Sequence, residues 1–436
     1  MSVVNAGAGE PGRAAVSPLS HNRDYNLLWT SQVISQLGTQ LAFIAFPLII
    51  LATSHSPVQM GIVAATGAAV RIAANVPAGM IVDRYSRKKI MLTCEAIRAA
   101  AFAGLATVLL TGTYSLSYVL AVAVIEGLCG SLFTPAEQSS LPRVVPREQL
   151  SAAIARNTAR PFVAGLLGPV AGGLLFSFQR MLPFLADAIS YALSFIGLLF
   201  LRLPHRETGS GHGAVGKGGA FEGFRWVLRQ RVIRVTLMWV AASNFIFAAL
   251  VIVILAVAGR AKASPGEIGL MMTTYGAGGL LGATVAARLH AALPAPVIVL
   301  GFSWIAAVMT SVMTTVPAGV PLGLVLGSVA FFAPAANTTI LTYEMMITPD
   351  ELRGRLSAAV GLCTGVAGAL GPLLGGFLID ETDRRASLLI CSACLAAIAL
   401  TATLHPTTRR FPTLSDGTPD TVSKESDAKI GQQARP

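Results

Sequence analysis

Gly79-Met80-Ile81-Val82-Asp83-Arg84-Tyr85-Ser86-Arg87-Lys88-Lys89 decides the fold. Gly79 closes a run of apolar residues suited to a helix, and four residues on, an acid and a basic cluster begin abruptly. A water-soluble core has no use for that order. Two membrane-spanning helices joined by a very short loop do, since apolar residues fill the hydrocarbon and basic residues are retained on one side of it. The whole composition points the same way. The 436 residues are 53% hydrophobic and 12% charged, with a mean hydropathy of +0.66, whereas a soluble domain carries about 25% charged residues. A spanning helix takes about 20 apolar residues. On that length, spans are expected near 26–51, 58–82, 90–111, 116–138, 151–176, 183–202, 232–258, 266–287, 294–316, 320–342, 356–379 and 386–405.

The net charge of +11 would suggest nucleic acid in a soluble protein. Its distribution gives another account. With both termini inside, roughly 23 of the 32 Lys and Arg residues fall on cytoplasmic segments, 5 outside and 4 within helices. The basic surplus is therefore topological, and its nearest partners are anionic membrane lipids. No basic segment is interleaved with aromatic residues in a soluble domain, so no nucleic-acid partner is expected. Residues 1–24 read as a cytoplasmic tail without a cleaved signal peptide. Residues 406–436 are polar and read as a disordered cytoplasmic tail.

An internal repeat sets the architecture. Phe133-Thr-Pro135-Ala136 recurs as Phe332-Ala-Pro334-Ala335, and Gly168-Pro169-Val-Ala-Gly172-Gly173 recurs as Gly371-Pro372-Leu-Leu-Gly375-Gly376. The pairs keep their order and fall on helices 4–5 and 10–11. The expected fold is an all-α polytopic membrane protein of about twelve helices in two six-helix halves, 25–202 and 232–405, related by an axis along the membrane normal. Between them, 203–231 is a glycine-rich linker whose Phe221-to-Arg229 segment has the apolar spacing of an interfacial amphipathic helix.

The opening stretch resembles the loop between helices 2 and 3 of the major facilitator superfamily (MFS), Gly-x-x-x-Asp-Arg-x-Gly-Arg-Arg/Lys-Arg/Lys, with Ser86 where a second glycine is usual. That resemblance implies a gating latch made by Gly79, Asp83, Arg84 and Arg87. Its partner would be the start of helix 11, near Arg353 to Leu356. Gly79 lets helix 2 approach a neighbour, and Asp83 favours a helix N-terminus. The equivalent Gly282-Ala-Thr-Val-Ala-Ala-Arg288 keeps the glycine and an arginine but has no acid. Gly168, Pro169, Gly172 and Gly173 resemble the helix 5 motif of proton-driven drug antiporters, which favours export; close packing of glycine-rich helices explains the same residues. Gln36-Leu-Gly38-Thr39-Gln40 resembles helix 1 of the siderophore- and macrolide-exporter branch, with Thr39 where that branch often has an acid.

Ionisable residues inside a bilayer are costly and usually functional. Arg71 lies in helix 2, Arg98 in helix 3, Glu126 in helix 4, Arg156 and Arg160 one turn apart in helix 5, and Asp187 early in helix 6. Aligned on Gly130, Glu126 stands where many drug antiporters have an arginine, so the arginine's role does not transfer. Glu126 is the leading proton-coupling candidate, with Arg71 or Arg160 as counter-ion, or else it forms a static buried pair. Asp187, also a candidate, lies near the external end, where a solvated or capping role fits. Gln36, Gln40, Asn244 and Asn337 are candidate cavity residues by depth and polarity.

Other patterns carry no chemistry. Gly276-Ala-Gly278-Gly279-Leu-Leu-Gly282 lacks nucleotide-loop spacing, and Cys391-Ser-Ala-Cys394 sits in an apolar helix without His or acid beside it. No histidine pair has metal-ligand spacing on one helix, and no Walker sequence exists. No metal, no cofactor and no enzymatic activity are expected. The expected function is secondary transport by a monomer in the inner (plasma) membrane of a bacterium: proton-coupled efflux of a small amphipathic drug, antibiotic or siderophore by alternating access. A lysolipid-moving transporter of the same branch and a non-transporting receptor or scaffold are the alternatives.

Overall fold

A computed structural model of the chain describes residues 19–203, 230–348 and 352–405. Among them are twelve long helices: α1 (Arg23–Thr53), α2 (Pro57–Arg84), α3 (Arg87–Leu110), α4 (Leu116–Val144), α5 (Leu150–Phe178), α6 (Leu182–Phe200), α7 (Arg231–Arg260), α8 (Pro265–Ala292), α9 (Ala295–Val312), α10 (Val320–Ile347), α11 (Arg353–Glu381) and α12 (Arg384–Leu404). All twelve have the length and hydropathy to cross a membrane. The ends outrun the apolar stretches, because a helix continues past the hydrocarbon boundary until a cap or a proline stops it. The amphipathic segment at Phe221–Arg229 and both tails lie outside the described residues.

Local chemistry starts the helices where the sequence changes character. Asn22, Ser56, Ser115 and Asp383 each accept a hydrogen bond from the backbone N–H three residues on. Ser264 and Glu267 close a reciprocal capping box at α8. Pro57 and Pro265 stand in the first turn of α2 and α8, where the missing N–H costs nothing. The connections repeat between halves. Gly112 (φ 75°) precedes α4 and Gly319 (φ 97°) precedes α10, while His55 and Lys262, both at positive φ, occupy the α1–α2 and α7–α8 turns.

Pairing of helices obeys the same two-fold. Within the first half α1 packs on α5 and α6, α2 on α4, and α3 on α4 and α6. The second half repeats this with α7 on α11 and α12, α8 on α10, and α9 on α10 and α12. Across the halves, α2 meets α11 and α5 meets α8. Aromatic clusters anchor each half: Phe46, Phe102, Phe184 and Tyr191 in one, and Trp239, Phe247 and Phe302 in the other.

The repeated glycines are the contact points. A Cβ on Gly168 or Gly172 would strike Gln40 or Leu41 of α1, and one on Gly371 or Gly375 would strike Phe245 or Ala249 of α7. Gly173 touches Pro265 and Gly269 of α8 across the halves, and Gly376 touches Pro57 and Val58 of α2. In both motifs the first two glycines therefore serve their own half and the last serves the interface. Gly278 and Gly282, which lack nucleotide-loop spacing, abut Gly327 and Phe331 of α10.

The interface is closely packed at one end. Gly61 of α2 against Pro372, Gly173 against α8, and Gly259 of α7 against Leu51 of α1 all lie toward the end remote from Asp83. Toward the Asp83 end a Cβ on Gly79 of α2 or Gly361 of α11 would meet nothing within 4 Å. The expectation that Gly79 permits a close helix approach is corrected here: among the described residues nothing lies where its Cβ would stand, and it borders a cavity.

Candidate functional site

A cavity of about 640 Å³ lies in the first half, walled by α1 to α5. A second, about 380 Å³, adjoins it beside Gly79, and the two share Arg71, Gly130, Thr134 and Gln138. Gln32, Ser35, Gln36 and Thr39 supply the α1 wall, and α5 contributes Asn157, Thr158 and Arg160. Of the cavity residues expected from polarity, Gln36 is on this wall. Gln40 packs between α1 and Gly165 and Gly168 of α5. Asn244 is exposed and donates to Val240 O of its own helix at 2.8 Å. Asn337 is exposed on α10 and lines neither cavity.

Two ion pairs stiffen the wall. Arg98 Nη2 lies 3.1 Å from Glu126 Oε1, and both side chains are nearly buried. The Tyr191 hydroxyl donates to Glu126 Oε2 at 3.1 Å and lies 2.9 Å from Thr39 Oγ1. Arg98 also lies over the Tyr191 ring at 5.3 Å. The second pair joins Arg160 to both oxygens of Glu137, at 2.7 and 3.2 Å, while Arg160 Nε donates to Gln36 at 2.8 Å. The counter-ion expectation is thus corrected. Glu126 pairs with Arg98, one turn of α3 facing α4, and not with Arg71 or Arg160; Arg160 is committed to Glu137. Arg71 has no hydrogen bond or ion pair to another described residue.

Behind the wall the polarity continues inward. Ser35 Oγ donates to Glu95 Oε1 at 3.2 Å, and Glu95 is fully buried. Asp187 is also fully buried, with Ser190 donating to its Oδ1 at 3.1 Å. This corrects the solvated or capping role expected for Asp187: α6 turns that side chain against Gly38 of α1, where a Cβ would overlap it. Oxygens Oε2 of Glu95 and Oδ2 of Asp187 have no partner among the described residues. Sequence reasoning passed over Glu95 and gave Glu137 no ionic role, although an acid within an apolar span is the signal that singled out Glu126. No group of three metal-ligating side chains occurs among the described residues.

The basic cluster after Asp83 ties helix ends together. Arg87 Nη1 donates to Ser139 O of α4 at 2.6 Å. Lys88 Nζ donates to Leu199 O and Leu201 O at 2.8 and 2.7 Å, capping the carbonyl end of α6. Asp83 and Arg84 stand exposed at the end of α2. The first turn of α11 receives no side-chain cap from its own N-cap residue.

Comparison with known proteins follows this geometry. A family model described as transmembrane secretion effector, an MFS family, matches residues 13–419. The multidrug efflux pump Tap of Mycolicibacterium fortuitum is 25% identical over 396 residues, covering 86% of this chain and 93% of that protein. The enterobactin exporter EntS of Shigella boydii is 28% identical over 190 residues, 43% of this chain and 44% of that protein. Among solved structures, an inward-facing, unoccupied bacterial homologue of the human lysosomal transporter Spinster superposes with a TM-score of 0.69 at 16% identity, over 90% of this chain and 98% of that one. At that identity the likeness is one of fold.

Proposed function

Because the chain belongs to the transmembrane secretion effector family of MFS transporters, we propose that it exports a small amphipathic organic molecule from the cytoplasm in exchange for protons. The observation that carries this reading is a polar cavity in the first half, walled by α1 to α5 and bordered by the Arg98–Glu126 pair. Basic residues crowd the Asp83 end, so the positive-inside rule makes it the cytoplasmic one, with both termini inside. A polar cavity at mid-depth is where an alternating-access transporter holds its cargo.

Coupling needs a carboxylate that cargo and proton both address. Glu126 meets that need: it borders the cavity, and its second oxygen is held by Tyr191, which reaches Thr39 on the α1 wall. Protonation of Glu126 would release Arg98 from its partner and loosen the α3–α4 contact on the cavity wall. Asp83 with Arg84 is the latch, closing on the first turn of α11 when the cytoplasmic ends come together.

The test is transport in everted membrane vesicles with an acidified lumen, adding drugs, siderophores and lysolipids in turn. At least one compound should evoke proton release in the wild type, and Glu126→Gln should abolish it. Normal coupling in Glu126→Gln moves the proton site elsewhere. If no compound moves protons, the antiport reading is wrong.

A further inference from the structure

The charges of the cavity do not balance among themselves. Glu126 spends one oxygen on Arg98 and the other on Tyr191. Glu137 spends both on Arg160. That leaves Arg71, mid-way along α2, exposed on the wall shared by both cavities and without a hydrogen bond or ion pair to any described residue. A charged guanidinium within a membrane span that faces a cavity marks a functional site by default.

The space in front of it is shaped for that purpose. At Gly130 of α4, the position a Cβ would take lies 3.1 Å from Arg98 Nη2 and 3.6 Å from Arg71 Nη2. The missing side chain thus lets two guanidiniums converge on one spot of the wall. Arg98 is neutralised by Glu126, whereas Arg71 is not. Asn75, one turn beyond Arg71, and Thr134 and Gln138, one turn apart on α4, ring the same recess with hydrogen-bonding groups.

We infer that Arg71 is the anchor of an oxyanion subsite, and that the cargo is an amphipathic organic acid whose anionic group seats against Arg71 beside Gly130. The planar guanidinium suits a carboxylate, which it can hold through two parallel N–H donors. This rests on the export reading above for its direction of movement; the subsite itself does not.

The test uses pyrenebutanoate and its N-methyl amide, which share an apolar body and differ in charge. Binding of each to the full chain in lipid nanodiscs is measured by equilibrium dialysis against empty nanodiscs. The wild type should prefer the acid by about 10- to 100-fold, the worth of a charge-assisted hydrogen bond. Arg71→Gln should erase that preference, lowering binding of the acid far more than that of the amide, and Arg71→Lys should keep part of it. Equal binding of acid and amide by the wild type, no binding of the acid, or an undiminished preference in Arg71→Gln would each overturn the subsite. Displacement of pyrenebutanoate more readily by myristoyl lysophosphatidylglycerol than by myristate would overturn the choice of an organic acid in favour of a lipid headgroup. Uptake into everted vesicles separates the two readings. Arg71-dependent binding without uptake sinks export and leaves the subsite standing. Equal uptake of acid and amide sinks the subsite and leaves export standing.

Discussion

Glu126 and Arg98 show why a buried charge in a membrane protein is rarely single. Each removes the other's desolvation cost only while both remain, so deleting one leaves an uncompensated ion, a loss of about 3–5 kcal/mol in buried pairs. Glu126→Gln should therefore lower the thermal unfolding temperature in detergent as well as abolish coupling. Replacing both partners, with Arg98→Met and Glu126→Leu together, should recover most of that stability while transport stays lost. If the double variant is as unstable as the single one, the pair is not what Glu126 contributes to the fold. Glu95 belongs to the same scale. It is fully buried, lies one turn from Arg98 on α3, and is reached from the cavity through Ser35. Glu95→Gln keeps its shape and the Ser35 hydrogen bond, so stability within about 1 kcal/mol of wild type is expected for a neutral isostere; thermal unfolding checks it.

At the scale of helices, small residues determine which surfaces touch. Without a hydrophobic drive between helices in lipid, close backbone approach supplies the contact energy. The two Gly-Pro motifs divide this labour identically, which is a structural consequence of the duplicated sequence and explains them as packing in α5 and α11 alike. The division yields a contrast. Gly172→Val or Gly375→Val, inside a half, should destabilise the fold by about 1–3 kcal/mol or more through overpacking, read as lowered expression and melting temperature. Gly173→Val and Gly376→Val, at the interface, should leave each half folded and force the remote ends apart. Cysteines placed there should then label faster from outside. Equal effects on stability from both sets would remove the distinction.

For the whole molecule, what matters is where α2 and α11 pack closely. Helices α2 and α11 meet near Gly61, Ile72, Pro372 and Gly376, while among the described residues a Cβ on Gly79 or Gly361 would meet nothing within 4 Å. On the proposed latch, Asp83 holds the first turn of α11 when the cytoplasmic ends are together. Asp83→Asn, keeping the size and removing the charge, should shift the population toward the open cytoplasmic state. Cysteine labelling from the cytoplasmic side should rise several-fold; unchanged labelling argues against the latch. Lys88, by contrast, is tied to the end of α6 within one half, so it does not distinguish the two states.

Much of this was readable along the chain. Hydropathy located all twelve spans, because crossing a bilayer is a demand on consecutive residues that any window detects. The basic loop after Asp83 and the paired Phe-x-Pro-Ala and Gly-Pro stretches disclosed the duplication, since repeats are visible without coordinates. Intramembrane charges announced that a polar site existed. Which charges meet was decided in three dimensions. Arg98, not Arg71 or Arg160, faces Glu126; Asp187 turns into the core; Asn244 and Asn337 line neither cavity. Helical spacing tells which residues share a face, but the rotation of each helix about its own axis is set by neighbours hundreds of residues away. That rotation alone leaves Arg71 unpaired in the cavity.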